Sequence, residues 1–350
     1  MGAPQMTRPD CSPPARPPFV LQIHPSLRCN LSCPHCYSRS GPTVRTSLDV
    51  ETVVRVIGEA AALGYEVISF SGGEPLMYEG LPQACAFAKS LGLTVTITTN
   101  GFFLDQRHLD PIASSIGGLA ISLDGDAAAH NAMRGNRAAH DRLVNGLDAV
   151  RSRGIPFGFI HTLTTRSWSQ LESLVAFAAD CGARLFQIHP LEAQGRASSM
   201  PAELHGDAEM LAKVYVLTRL LNAQYGGAPQ VTSDLAPAAD FVQHPELVYA
   251  APGQDAGSDD SVPMLRNLIV EADGTVVPFT FGIARDFAIG DITRSSLRES
   301  LRRYAGGGGY ANLLGLCRRV HASLTRPDAP QLVNWYELLY RESHAGLVVA

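Results

Sequence analysis

No stretch of the 350 residues reaches the ~18 apolar positions of a membrane span. The opening MGAPQMTRPDCSPPARPP has proline, arginine and aspartate where a signal peptide needs an apolar run. The chain is therefore expected to be cytoplasmic, with no membrane partner. Basic residues are few: 28 Lys+Arg stand against 33 Asp+Glu, a formal charge of -5, and no polybasic stripe offers itself to phosphates. Nucleic acid is not an expected partner. A disulfide framework is also missing. The seven cysteines are an odd number in a long chain, and three of them, Cys29, Cys33 and Cys36, fall within eight residues. With 45% hydrophobic and 17% charged residues, the chain has the composition of a globular protein with a large core.

From Phe19 onward, short apolar strands alternate with amphipathic helices across brief Gly, Pro or Asp breaks, the pattern of a parallel α/β sheet. The spacing predicts strands at Phe19–His24, Val67–Ser71, Thr94–Asn100, Leu119–Asp124, Phe157–Thr162 and Leu185–His189. It predicts helices at Leu48–Leu63, Gly80–Leu91, Leu104–Ile116, Ala138–Arg153 and Gln170–Cys181. Successive strand residues face opposite ways, so Leu21, Ile23, Ile68, Phe70, Val95, Ile97, Ile121, Phe186 and Ile188 form an apolar face for the helices. The other face carries Gln22, His24, Ser69, Ser71, Thr96, Thr98, Asn100, Ser122, Asp124, Gln187 and His189, too polar for a dry barrel interior, so it is expected to enclose a wet, ligand-filled cavity. The fifth strand is ambiguous, with Phe157, Phe159 and His161 on one face and Gly158, Ile160 and Thr162 on the other.

Beyond His189 the alternation stops. A helix is expected over Ala202–Gln224, then a flexible stretch at Ala251–Pro263, a hairpin turning at Asp273-Gly274, and helices separated by a glycine linker at Gly306–Gly309. The expected architecture is a partial (β/α)6 TIM-like barrel with a smaller C-terminal α+β cap. Its divisions are a flexible segment 1–18, a barrel 19–200 and a cap region 201–350.

Cys29-Asn30-Leu31-Ser32-Cys33-Pro34-His35-Cys36 follows the first strand. Three thiolates on one loop can hold three irons of a four-iron, four-sulfur cluster and leave the fourth open. Structural zinc is an alternative, although no second C-x2-C is present to complete a four-ligand site. Thiol-disulfide exchange at Cys33-Pro34-His35-Cys36 is another, and it leaves Cys29 without a role. Cys85 and Cys181 lie on apolar helix faces and are read as small buried hydrophobes.

C-x3-C-x2-C on the first loop of an α/β barrel resembles the signature of the radical S-adenosylmethionine superfamily. Ser71-Gly72-Gly73-Glu74-Pro75, Thr99-Asn100-Gly101 and Ser122-Leu123-Asp124-Gly125 follow in order at successive strand ends, so the resemblance covers Phe19 to about Arg196. It implies one 4Fe-4S cluster on Cys29, Cys33 and Cys36, and S-adenosylmethionine beside it. Gly72 and Gly73 would let the backbone approach the ligand, and Glu74 would meet the methionine ammonium. Ser122 and Asp124 would bond the ribose, with Asn100 nearby. His35 would lie against the adenine and Arg134 would meet the carboxylate. The implied activity is reductive cleavage of S-adenosylmethionine to a 5'-deoxyadenosyl radical that abstracts a substrate hydrogen, the electron coming from a flavodoxin- or ferredoxin-like donor.

Val270–Ile292 resembles the start of the SPASM extension of peptide-maturing enzymes. Phe279 stands where the first auxiliary ligand cysteine normally follows the proline, and only Cys317 lies downstream, so the extension is expected to be degenerate. Only about eighteen residues precede the first strand, too few for a leader-peptide-binding domain. The resemblance implies a ribosomally made precursor peptide as substrate. A sugar, aminoglycoside or other small metabolite undergoing dehydrogenation, epimerisation or rearrangement is the alternative. Gln187, His189 and His161 are the expected substrate-side catalytic residues, His189 as a proton donor or acceptor, with Glu192 and Arg196 at the same strand ends.

Overall fold

A computed structural model describes residues 17–247 and 265–345. Most of the expected N-terminal segment, with Cys11, and the stretch Ala251–Pro263 lie outside the described residues. Twelve strands are present among those described. They are β1 (Val20–Ile23), β2 (Val67–Phe70), β3 (Thr94–Thr99), β4 (Gly118–Ser122), β5 (Phe157–Leu163), β6 (Leu185–Pro190), β7 (Gln230–Ser233), β8 (Ala236–Pro237), β9 (Asn267–Val270), β10 (Thr275–Pro278), β11 (Gly290–Asp291) and β12 (Leu332–Val333). Ten form one sheet in the order β11-β10-β9-β1-β2-β3-β4-β5-β6-β7, while β8 and β12 pair separately. Neighbours from β1 to β7 are parallel, as helical crossovers between consecutive strands require. The fold is the expected α/β barrel-like sheet.

Two features go beyond the sequence reading. A seventh parallel strand, β7, pairs with β6 from a stretch that carries no alternating pattern. The hairpin β9–β10 is part of the main sheet, because β9 lies parallel to β1, Leu21 opposite Leu268 and Ile23 opposite Val270.

The apolar face is buried as its parity requires: Leu21, Ile23, Ile68, Phe70, Ile97, Ile121, Phe186 and Ile188 are fully enclosed. On β5, Phe157, Phe159 and His161 join this core, while Ile160 and Thr162 face the opposite side. Helix ends follow their capping residues. Asp49 accepts from Thr52 N at the start of Val50–Leu63, and Gly64 ends that helix at φ 92°. The helix expected over Leu104–Ile116 is only Gln106–Leu109, because Pro111 offers no N–H to extend the ladder. The helix expected from Ala202 begins at Ala208, behind the Asp207 cap. Gly306–Gly309 is a tight joint between helices Leu297–Gly306 and Gly309–Leu324, with Gly308 at φ 82°, and not an extended linker. No helix among the described residues is long and apolar enough to cross a membrane.

Candidate active site

The polar face of the sheet lines a cavity of about 530 Å³, within the ordinary range for small-molecule sites. Cys29, Cys33 and Cys36, on the loop after β1, are among its lining residues. Gly41 N and O bond Leu27 O and Cys29 N across the base of this loop. Arg196 clamps its outer side, Nε donating to Cys33 O at 2.8 Å and one terminal nitrogen to Ser40 O at 2.7 Å. Arg196, expected near the substrate, therefore serves the cysteine loop.

Gly72 and Gly73 line the cavity, yet their missing side chains serve the chain itself. A Cβ on Gly73 would stand 2.1 Å from Arg28 O, and one on Gly72, at φ 104°, would stand 2.9 Å from both Ser26 O and His24 Cβ. The turn after β2 thus presses against the segment leading into the cysteines, held by Gly73 N to Ser26 O (2.8 Å) and Glu74 N to Arg28 O (2.9 Å).

Three expected site residues do not line the cavity. The Glu74 carboxylate is 2% exposed and accepts from Leu76 N, Thr99 Oγ1 and Asn100 N at 3.1, 2.8 and 2.8 Å. Its oxygens accept from the chain's own donors, so it ties the turn to the end of β3. Asp124 is likewise enclosed and meets the chain's own groups: Arg134 Nε at 2.7 Å, the Thr162 backbone N–H at 3.1 Å and His35 Nε2 at 3.8 Å. His161 is a satisfied core histidine, with Nδ1 2.9 Å from Leu123 O and Nε2 3.0 Å from Ser167 Oγ, because its parity on β5 points it at the helices.

The other expected residues line the cavity together: His35, Asn100, Ser122, Arg134, Gln187 and His189. Asn100 Nδ2 donates to Asn30 Oδ1 at 2.8 Å and approaches Cys29 Sγ at 3.7 Å. Arg134 ends a helix capped by Asp126 and stopped by Gly135, which sets its carbonyl 3.7 Å from Cys33 Sγ. Burial holds His35 neutral, its pKa down to about 4.

Sequence reasoning missed Asp234, just past β7. It accepts from Gln187 Nε2 at 3.1 Å through one oxygen and pairs with His189 Nδ1 through the other. Nothing in the local pattern marks it. The C-terminal part also contributes wall residues, among them Phe279 at φ 66°, Phe281, Asn334 and Tyr336. Near them Glu192 accepts from Asn334 Nδ2 at 2.8 Å, and burial, with Glu337 and Asp234 nearby, lifts its pKa to about 7.

The donor set suits a cluster. Burial pushes the Cys29 thiol up to about 12 and raises Cys33, so these thiols are protonated unless positive charge arrives to hold them as thiolates. Among the described residues, no group of three His, Cys, Asp or Glu side chains converges as a single metal ion requires. The three thiols instead border an open space.

Comparisons with known proteins agree with this geometry. The Radical SAM superfamily model matches residues 23–178. The Fe-coproporphyrin III synthase of Methanosarcina barkeri is 29% identical over 53% of this chain and 47% of its own length. The sporulation killing factor maturation protein SkfB of Bacillus subtilis is 27% identical over 89% of this chain and 72% of its own. The match spans about half the length of several curated relatives. The solved structure of Streptococcus suis SuiB bound to precursor peptide SuiA shares the fold at TM-score 0.64 and 19% identity, covering 85% of this chain and 66% of that one. With its cysteine loop and its ordered strand-end motifs, the matched segment, residues 23–178, is a radical SAM superfamily domain within this chain.

Proposed function

We propose that the chain is a radical SAM enzyme acting on a ribosomally made precursor peptide. Cys29, Cys33 and Cys36 would hold one 4Fe-4S cluster, and S-adenosylmethionine would lie along Gly72, Gly73, Asn100, Ser122 and Arg134, with His35 at its edge. When bound, these groups supply one-electron reduction and hydrogen-atom abstraction. The chain's own residues do the rest. Asn100 and Arg134 fix the surroundings of two cysteines, Arg196 keeps the loop shut, and the sheet and the C-terminal wall exclude water.

One observation carries this reading: a single cavity is lined by the three thiols and by Gln187 with His189. The peptide as substrate rests on similarity to a maturation protein along most of the chain. The division into a barrel at 19–200 and a cap at 201–350, a cytoplasmic location and an external flavodoxin- or ferredoxin-like donor belong to the same proposal.

The test is iron and sulfide analysis after anaerobic reconstitution. About four irons per chain are expected, lost in Cys29→Ala, Cys33→Ala or Cys36→Ala and kept in Cys85→Ala and Cys317→Ala. Iron content unaffected by the first three variants would overturn the reading.

A further inference from the structure

We propose that Asp234 and His189 form a carboxylate–imidazole pair in which Asp234 holds the proton on Nδ1 and leaves Nε2 as the base that takes a proton from an ionisable N–H, O–H or S–H group of the substrate. Asp234 is then a positioning residue and His189 the group that meets substrate. The proposal rests on the functional reading above for its substrate, but not for its geometry.

Four observations carry it. His189 and Gln187 sit two apart on β6, so both face the cavity while Phe186 and Ile188 are buried behind them. One carboxylate engages both: Gln187 Nε2 occupies one oxygen of Asp234 and His189 Nδ1 the other, which fixes the ring against rotation. Asp234 itself is placed by the parallel pairing of β7 with β6, where Ser233 stands opposite Ile188. Its backbone N–H bonds Ile188 O at 3.2 Å, so the carboxylate arrives in register with His189.

A carboxylate oxygen is an acceptor only, so the Nδ1 it meets carries the proton and the second ring nitrogen of the neutral imidazole is a bare lone pair. The transfer is purely heterolytic. The substrate X–H bond breaks, its electron pair stays on X, and Nε2–H forms to give an imidazolium that Asp234 stabilises. No electron acceptor is needed for this step.

The titratable groups around His189 come from four places: Asp234 after β7, Glu192 after β6, Asp124 after β4 and His161 on β5. Burial alone would lower the imidazole pKa. Asp234 outweighs it, with Glu192 and Asp124 adding to the same side, so His189 is held above its ordinary value.

The experiment uses the full chain and diethylpyrocarbonate, which acylates neutral imidazole, with peptide mapping of each histidine between pH 5 and 8.5. In the wild type, His189 is expected to react with a midpoint above the free-imidazole value of about 6.5, while enclosed His161 stays unmodified. In Asp234→Asn the midpoint should move down, so that at pH 6.5 His189 reacts roughly twofold faster or more. Asp234→Glu should restore much of the wild-type profile, and Gln187→Ala, which leaves the pair intact, should keep it.

An unreactive His189, or the same midpoint in Asp234→Asn as in the wild type, overturns the proposal. Ring nitrogen-15 spectra of the wild type need no variant: at high pH the proton should sit on Nδ1, and the opposite tautomer also overturns it. Iron loading and adenosylmethionine binding of the wild type test the functional reading separately, so the two failures are told apart.

Discussion

Arg134 Nε lies 2.7 Å from the enclosed Asp124 carboxylate, and the carbonyl of the same arginine receives the Cys33 thiol at 3.7 Å. A buried ion pair thus supports one of the three cysteines. Burial alone would raise the Asp124 pKa; Arg134, with His35 and His130 behind it, outweighs that and holds the carboxyl well below the usual range.

Removing one partner strands the other's charge in the interior. Asp124→Ala is expected to cost roughly 3–5 kcal/mol of folding stability, read as a lower urea midpoint, whereas exchanging both partners for apolar residues should recover much of it. The Asp124 pKa is depressed on folding, so its stabilisation is complete above the unfolded carboxylate's value of about 4 and is lost as acid is added below that. A wild-type urea midpoint in Asp124→Ala would show that the pair adds nothing.

Glu74→Gln tests whether this carboxylate is a clasp. The amide keeps one acceptor oxygen and turns its NH2 either toward Asn100 N or toward Thr99 Oγ1 and Leu76 N, all donors to Glu74 now. A loss of about 1–3 kcal/mol is expected in thermal unfolding of the cofactor-free chain. Iron loading should fall with it, because the end of β3 carries the Asn100 amide beside Cys29. Unchanged stability with weakened adenosylmethionine binding would return Glu74 to the ligand.

Two enclosed histidines should make the cofactor-free protein acid-sensitive well above carboxylate pH. Burial lowers His24 to about 3, and burial, then Arg134, lowers His130 to about 3. Both are neutral when folded and free to charge when unfolded. Stability is therefore full above about pH 6.5 and falls as the pH drops toward the folded values, by up to about 2.7 kcal/mol per pH unit for the two together. His24 makes no hydrogen bond through either ring nitrogen and stacks on Phe281 at 4.8 Å. His24→Phe should remove about half of the slope in urea titrations between pH 7.5 and 5. An unchanged slope would place the sensitivity elsewhere.

Parity made the β6 side chains legible: Phe186 and Ile188 had to be buried, so Gln187 and His189 had to face the cavity. The same rule was silent on β5, because His161 shares a face with two phenylalanines while the other face holds Ile160, and either could meet water. Glu74 and Asp124 were recognisable as motif members, but no sequence shows whether a carboxylate meets a ligand or the chain's own donors. That depends on where Thr99 and Arg134 arrive in three dimensions. Asp234 was invisible for a related reason. The strand before it, Gln230–Ser233, is short and polar, and its place at the edge of β6 is set by tertiary pairing and not by periodicity.

The pairing of β9 with β1 has a consequence for how the chain is made. Among the described strands β1 leaves the ribosome first, and it is an interior strand of the finished sheet, but its second neighbour begins only at Asn267. At synthesis rates of about 5–20 residues per second, roughly 10 to 50 s pass before Asn267–Val270 is even built. Through that interval the nascent barrel presents the β1 backbone as an open edge beside half-assembled walls, a template for pairing with any other extended chain. The growing polypeptide should therefore depend on chaperone cover until its C-terminal third arrives, and truncation before Asn267 should yield aggregates and not a smaller barrel.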